Sequence, residues 1–382
     1  MRKKICFVVS TPFTAYCFLR DHISLLSKYF DVYLVANIDE SNKSELDCFS
    51  LSEYKHIPIY RNIAIEKDIN AVRLLTQYFK EKQFDAIHSV TPKAGLISAL
   101  AGKLAGVDNR IHIFTGQVWC NDKGFRKLLL KSIDKIIASL STRILVDGES
   151  QREFLIENGI IEYNNSQVLG KGSISGVNIQ RFHPSEDIRK NMRKEFQLDD
   201  SQVVFTFLGR MNADKGMNEL FSAFDLLAKE YKHVTLLLIG PDEEGWTKRI
   251  TEYSNIKEGI NYIYFGATSS PERILQAADV FCLPSYREGF GTSVIEAACL
   301  GLPVICSNAY GLRDTLVDGD TGLRHRVKDS LDLYAQMKNL VVDRDQRLKM
   351  GENGRKYVLE NFTSEQISKE WLGFYLNLLD VN

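Results

Sequence analysis

Residues 280–307, VFCLPSYREGFGTSVIEAACLGLPVICS, hold two short apolar runs, VFCL and PVIC, on either side of a stretch with helical spacing. Strand, loop, helix and strand in so short a span form the βαβ unit of a parallel sheet covered on both faces. One residue is out of place. Glu296 stands among Val294, Ile295, Ala297, Ala298 and Leu300, where an unpaired carboxylate would cost several kcal/mol. A second glutamate, Glu288, sits in the Gly-Phe-Gly loop ahead of the helix.

The same alternation extends along the chain in both directions. KICFVVS, DVYLVAN, DAIHSV, RIHIFTG and RILVDG read as strands of a first series, and VVFTFLG, VTLLLIG, NYIYFGA, VFCLPS and LPVICS as strands of a second. Longer helical stretches such as YCFLRDHISLLSKYF and MNELFSAFDLLAKEYK lie between them. The series part near SGVNIQRFHPSEDIRK, where Gly176 and Pro184 interrupt the pattern. The expected fold class is therefore α/β, with two Rossmann-like domains over 1–180 and 181–360. A terminal helix over 361–382 is expected to pack back on the first domain through Ile367, Trp371, Phe374, Tyr375 and Leu378.

Composition bounds the function. With 44% hydrophobic residues, 25% charged residues and a net charge of -1, the chain is not a basic nucleic-acid binder. No apolar run has the length of a membrane span. The start, MRKKICFVVSTPF, has a run too short for an export signal and reads as a first strand, so a cytoplasmic protein is expected. Seven cysteines lack any C-x-x-C pair and are read as reduced thiols.

In open α/β sheets ligands bind at the carboxyl ends of strands. After VVFTFLG comes GRMNADKG, residues 209–216, whose Arg210 and Lys215 are suited to clamp a diphosphate, the one by its planar fork and the other as a compact charge. An exposed polar loop is the plainer alternative. For Glu296 the plain alternative is a capping box with Ser293. Against it, EGFGTS offers free N–H groups at a helix start, a place for a phosphate. Glu296 is then placed to accept from the vicinal hydroxyls of an attached ribose.

These segments together resemble the retaining glycosyltransferases of the GT-B fold, glycosyltransferase family 4. Glu288 and Glu296, with seven residues between them inside PSYREGFGTSVIEAACLGLPVICSNAYGLRDTLVDGDTGL, resemble that family's E-x7-E segment. FLGRMNADKG resembles its donor-phosphate loop. GSISGVNIQRFHP resembles its interdomain segment, with Asn178 where aspartate is usual. The resemblance implies parallel sheets facing a deep cleft between the domains, and a nucleotide-diphosphate sugar held chiefly by the second domain. It assigns Arg210 and Lys215 to the pyrophosphate, Glu296 to the ribose and Glu288 to the sugar hydroxyls, with Gly289, Phe290, Gly291 and Thr292 completing the cradle. Glu288, Arg210 and Lys215 are the candidate catalytic residues. The reaction implied is sugar transfer with retention, without a required metal or other cofactor.

Within the family, the first half is similar to enzymes that build capsule and O-antigen repeat units. That implies a UDP-linked N-acetylhexosamine as donor and a saccharide on a polyprenyl diphosphate as acceptor, at the inner face of the plasma membrane. A sugar-nucleotide 2-epimerase of the same architecture and a non-catalytic nucleotide-sugar-binding protein are the alternatives.

Two motifs are set aside. GKGSISG has its last glycine one place late for a dinucleotide loop. VDGD, residues 317–320, reads as a turn rather than a metal motif. The first half also departs from the family. The loop STPFTAYC has no glycine, and Thr115 stands where a histidine is expected, with His112 three residues earlier. Thr115, Gly116 and Gln117 are candidates for the acceptor side, or a simple turn. Residues 124–143 place Lys127, Lys131 and Lys135 beside a Leu and Ile face. That is either a membrane-surface helix or a core-facing helix with a solvated lysine edge.

Overall fold

The computed structural model describes residues 2–60 and 64–381. The chain divides into two compact units, Met1–Gly176 with Ser364–Asn382, and Val177–Thr363. The crossings lie side by side: Val177 and Thr363 form an isolated parallel bridge, and the Val177 N–H donates to the Phe362 carbonyl at 2.8 Å.

In the first unit seven strands are β1 (Lys4–Val8), β2 (Asp31–Ala36), β3 (Glu53–His56), β4 (Ala86–Val90), β5 (Asn109–Phe114), β6 (Arg143–Val146) and β7 (Ser166–Val168). Their order is β3-β2-β1-β4-β5-β6-β7, with every neighbouring pair parallel. In the second unit, β8 (Val203–Leu208), β9 (Val234–Ile239), β10 (Tyr262–Gly266), β11 (Val280–Leu283), β12 (Val304–Ser307) and β13 (Gly322–His325) run β10-β9-β8-β11-β12-β13, again all parallel. The order reverses beside β1 in one sheet and beside β8 in the other, so each unit is Rossmann-like, as expected.

Strands β3, β7 and β13 are absent from the sequence reading. All three are sheet edges, and their sequences EYKH, SQV and GLRH lack an apolar run. The central strands are the reverse case. Ile5, Phe7, Val204, Phe205, Phe207 and Phe281 are fully buried, and between flanking helix layers nothing but apolar side chains fits. No helix among the described residues is long and apolar enough to cross a membrane. No disulfide joins the seven cysteines, and Cys6, Cys282, Cys299 and Cys306 are buried thiols.

The last helix, Ser364–Leu378, belongs to the first unit and buries Ile367, Trp371 and Tyr375 in the core that β1 supplies. Trp371 stacks with two imidazoles, His22 at 4.5 Å and His88 at 4.8 Å between ring centroids, each at 8° to it. His22 bonds Ser368 Oγ at 2.8 Å and the Ile174 carbonyl at 2.6 Å, while His88 Nδ1 meets the Tyr375 hydroxyl at 2.7 Å. Burial opposes charging of both rings, lowering His22 from 6.5 to about 4 and His88 well below its ordinary value.

The unfolded chain therefore takes up protons on these histidines at a pH where the folded chain does not. Their contribution is present above 6.5 and is lost as pH falls from there through about 4. Thermal unfolding followed over that range should show a Tm that falls with pH, and His22→Gln should flatten the fall. Trp371→Ala, which empties a fully buried site, should cost about 3–5 kcal/mol in denaturant unfolding.

Candidate active site

Strands β8 and β11 are neighbours, and the loops at their carboxyl ends interlock. The Tyr286 N–H donates to the Asp214 carbonyl at 2.7 Å, Ser285 Oγ donates to the same oxygen at 3.2 Å, and Arg287 pairs with the Asp214 carboxylate at 2.7 Å. This approach requires glycine at 216. Its φ is +72°, and a Cβ there would stand 2.1 Å from the Pro284 carbonyl oxygen.

The two candidate cations lie on this loop pair, each already matched by a carboxylate. Lys215 Nζ pairs with Glu288. Arg210 Nη1 meets Glu243 Oε1 at 3.0 Å, and Glu243 also accepts from Asn212 Nδ2 at 2.9 Å. Glu244 accepts from the Ala213 N–H at 3.0 Å and from Trp246 Nε1 at 3.3 Å. The segment PDEEGW after β9 thus braces the Arg210 loop. The sequence reading missed these acids, which lie four and five residues past the end of β9, where Arg210 lies two past the end of β8.

The helix Thr292–Cys299 starts two residues earlier than a Ser293 cap requires. Its N-cap is Gly291, at φ +74°, with no side-chain capping bond. Ser293 is the second helical residue, so the capping box with Glu296 does not form. The first helical N–H groups have no carbonyl within the helix to bond. Gly291 again is required, since a Cβ would lie 2.4 Å from Leu312 Cδ2. Phe290 is buried, its ring 5.2 Å from that of Phe362, so only its backbone remains for a ligand. Gly289 precedes it in the same loop.

Among the described residues no donor meets the Glu296 carboxylate. By surface area it is only partly covered, yet protein surrounds it closely enough for desolvation to dominate. That burial raises it from 4.5 to about 7, offset in part by Arg181 and reinforced by Glu272. Arg181 is itself engaged, 2.6 Å from Glu272. One corner of this unit therefore combines two cations, an uncapped helix start and an acceptor with nothing to accept from. It suits an anion joined to a group that bears hydroxyls.

In the first unit, Thr115 and Gly116 follow β5 and are half-buried. Gln117 is buried, donating through Nε2 to the Thr115 carbonyl, which also accepts from Gln151 Nε2 at 2.6 Å. Gln117 supports the loop rather than facing outward from it. His112 is sealed against the helix Pro92–Ala105, bonded to Ser89 Oγ at 2.9 Å, and burial lowers it to about 3. Asp147, at the end of β6, is a buried acid that sequence reasoning overlooked. Burial raises it to about 8, and Gln151 Oε1 accepts from its N–H at 2.8 Å. VDGD is a turn: Gly319 has φ +80°, Asp318 accepts from the Arg324 N–H at 2.9 Å, and Asp320 accepts from Asn353 at 2.7 Å. GKGSISG is a loop with no helix after it. Grooves of about 510 and 600 Å³ lie at the amino ends of the two sheets and contain none of the candidate residues.

Residues 188–357 match the family Glycosyl transferases group 1. The capsular polysaccharide biosynthesis glycosyltransferase CapM of Staphylococcus aureus is 32% identical over 364 residues, 94% of each chain. The N,N'-diacetylbacillosaminyl-diphospho-undecaprenol alpha-1,3-N-acetylgalactosaminyltransferase of Campylobacter jejuni is 25% identical over 79% of each. Among solved structures, Anabaena Alr3699/HepE in complex with UDP and glucose superposes with a TM-score of 0.81 at 17% identity, over 98% of this chain and 100% of that one.

The desolvated Glu296 makes a prediction that needs no ligand. Its folded pKa of about 7 exceeds the unfolded value of 4.5, so its ionisation destabilises the fold increasingly across that interval and fully above it. Glu296→Gln should melt higher than wild type at about pH 8, with the difference shrinking as pH falls toward the unfolded value. Equal melting temperatures at both ends would show that the carboxylate is adequately solvated.

Proposed function

The chain belongs to the group 1 glycosyltransferases, and on that premise we propose that it moves a sugar from a nucleoside-diphosphate donor to a saccharide on a lipid diphosphate. The product is a precursor of a surface polysaccharide. What supports the reading is the loop pair after β8 and β11. Arg210 and Lys215 flank the place for two phosphates, the helix start at Thr292 adds its N–H groups, and Glu296 waits one turn further in. A nucleoside diphosphate has the matching sequence of charges and hydroxyls.

Both cations are paired with carboxylates of the protein itself, Arg210 with Glu243 and Lys215 with Glu288. A diphosphate arriving at Lys215 competes with Glu288, which is then released toward the sugar hydroxyls. As the bond from sugar to phosphate breaks, negative charge grows on the departing oxygen. Two fixed cations and a helix N-terminus stabilise that charge without reorganising. In this reading the transfer retains configuration and needs no metal, with the departing phosphate oxygen helping to deprotonate the acceptor hydroxyl. Thr115 and Gly116 lie on the acceptor side. An N-acetylhexosamine donor and a polyprenyl diphosphate acceptor follow the Campylobacter relative, whose name specifies both an N-acetylgalactosaminyl group and a diphospho-undecaprenol, and the UDP link follows the Escherichia coli relative named UDP-Gal:alpha-D-GlcNAc-diphosphoundecaprenol alpha-1,3-galactosyltransferase. The CapM relationship favours capsule assembly. The reaction is assigned to the cytoplasmic face of the membrane.

The test is a thermal-shift series against UDP, GDP, ADP, TDP and their sugars with chelator present, followed by transfer to a synthetic polyprenyl diphosphate saccharide. A ligand at a hundred times its Kd stabilises by about 2.7 kcal/mol, so one nucleotide should stand out. Glu296→Ala should weaken that nucleotide by about 10- to 100-fold, the loss of hydrogen bonds to a charged group. Glu288→Ala should lower kcat while nucleotide affinity holds or rises, because Lys215 loses a competing partner. Wild-type kinetics in both variants would remove these residues from the site.

A further inference from the structure

The helix Gly124–Leu140 is apolar on two faces, one packed on the core and one bare. At about 100° per residue, Phe125, Leu128, Leu129, Ser132 and Ile136 fall within one arc of about 100°. That arc faces solvent, with Phe125 79% exposed, Leu128 65%, Leu129 43% and Ile136 44%. The opposite face packs Ile137 and Ala138 into the core with Leu130 and Ile133 beside them, and one carboxylate lies among them. Asp134 is buried and accepts from Trp119 Nε1 at 2.6 Å. An amphipathic helix of a water-soluble surface carries polar residues where this outer arc is apolar.

The lysines do not form the solvated edge that a core-facing helix requires. Lys131 turns inward to Asn158 Oδ1 at 3.1 Å, over the Trp119 ring at 5.5 Å. Lys135 borders the apolar arc and Lys127 lies on the far side of the helix; neither forms an ion pair among the described residues, nor does Lys123 ahead of the helix. The charge around them is one-sided. Residues 92–143 contain nine basic and three acidic residues in a chain whose net charge is -1. One of the three acids is the buried Asp134.

We propose that the outer face of this helix docks into the surface of an anionic lipid bilayer, with Phe125, Leu128, Leu129 and Ile136 entering the headgroup boundary and Lys123 and Lys135 meeting lipid phosphates. A second copy of the chain fits poorly, because a two-fold contact would set this basic patch against itself. A bilayer supplies both an apolar layer and the opposite charge. The docking rests on the transferase reading only for its purpose. The loop after β5 is pinned to the helix through Trp119 and Asp134, so docking also brings Thr115 and Gly116 toward the lipid surface.

The experiment is sedimentation of the full-length protein with vesicles of phosphatidylcholine alone or mixed with phosphatidylglycerol, comparing wild type with Phe125→Ser/Leu128→Ser. Wild type should pellet with the mixed vesicles far more than with the neutral ones. The double variant should lose at least about tenfold in partitioning while melting as wild type does, since both side chains are already exposed. If it melts lower, Phe125→Ser alone carries the comparison. Equal partitioning of wild type and variant, or no preference of wild type for anionic vesicles, overturns the proposal. So does a wild-type dimer that the variant breaks. No donor or acceptor enters this assay, so vesicle binding without sugar transfer would count against the transferase reading alone. Transfer without vesicle binding would count against the docking alone.

Discussion

Lys215 and Glu288 are 73 residues apart in the chain and meet because β8 and β11 lie side by side. Everything in the candidate site depends on that adjacency. The sheet brings the two strand ends together, but their loops interlock only because residue 216 has no side chain to strike the Pro284 carbonyl. From that approach follow the bonds of Asp214 to Tyr286 and Arg287, and from those the position of Glu288. A larger residue at 216 would separate the loops and dissolve the constellation without touching any charged group in it.

The legible part of the fold was its buried part. Strands enclosed by helices on both faces must be apolar along their length, so β1, β2, β4, β5, β6, β8, β9, β11 and β12 stand out as runs, and the edge strand β10 is legible through its aromatic and β-branched YIYF. Edge strands have no such obligation, and β3, β7 and β13 went unread for that reason. In the site, the residue types and spacing that suggested a phosphate loop do converge in one unit. What spacing could not convey was how the cations are occupied. Glu243 and Glu244 sit after a different strand, and only sheet order brings them to Arg210 and Ala213. The start of the helix at Thr292 instead of after a Ser293 cap was equally invisible, because it turns on the backbone conformation of Gly291.

The first unit was harder to read because its polar residues point inward. His22, His88, His112, Asp134 and Asp147 are all buried, and sequence alone does not distinguish a core histidine bonded to a serine from one facing a substrate. The resemblance placed a histidine near Thr115. The structure instead has His112 sealed beneath Gly95, where any side chain on the helix would collide with its ring. The periodicity of residues 124–140 was correctly helical, but periodicity has no sign. It says that two faces differ and leaves open which one is inside.

Two breaches of ordinary burial rules therefore stand apart from the rest of the molecule, and they are of opposite kinds. In the second unit a carboxylate is desolvated with no donor beside it. In the first, an apolar stripe is solvated with nothing covering it. Selection for stability alone would remove both, the one by Glu296→Gln and the other by polar residues at 125 and 128. Each has the form of half an interaction. A stranded acceptor is complemented by a ligand with hydroxyl groups, and a bare apolar stripe bordered by lysines is complemented by a phase that is apolar beneath and anionic above. Transfer of a sugar from a water-soluble donor to a lipid-borne acceptor calls for both complements in one protein, one in each unit.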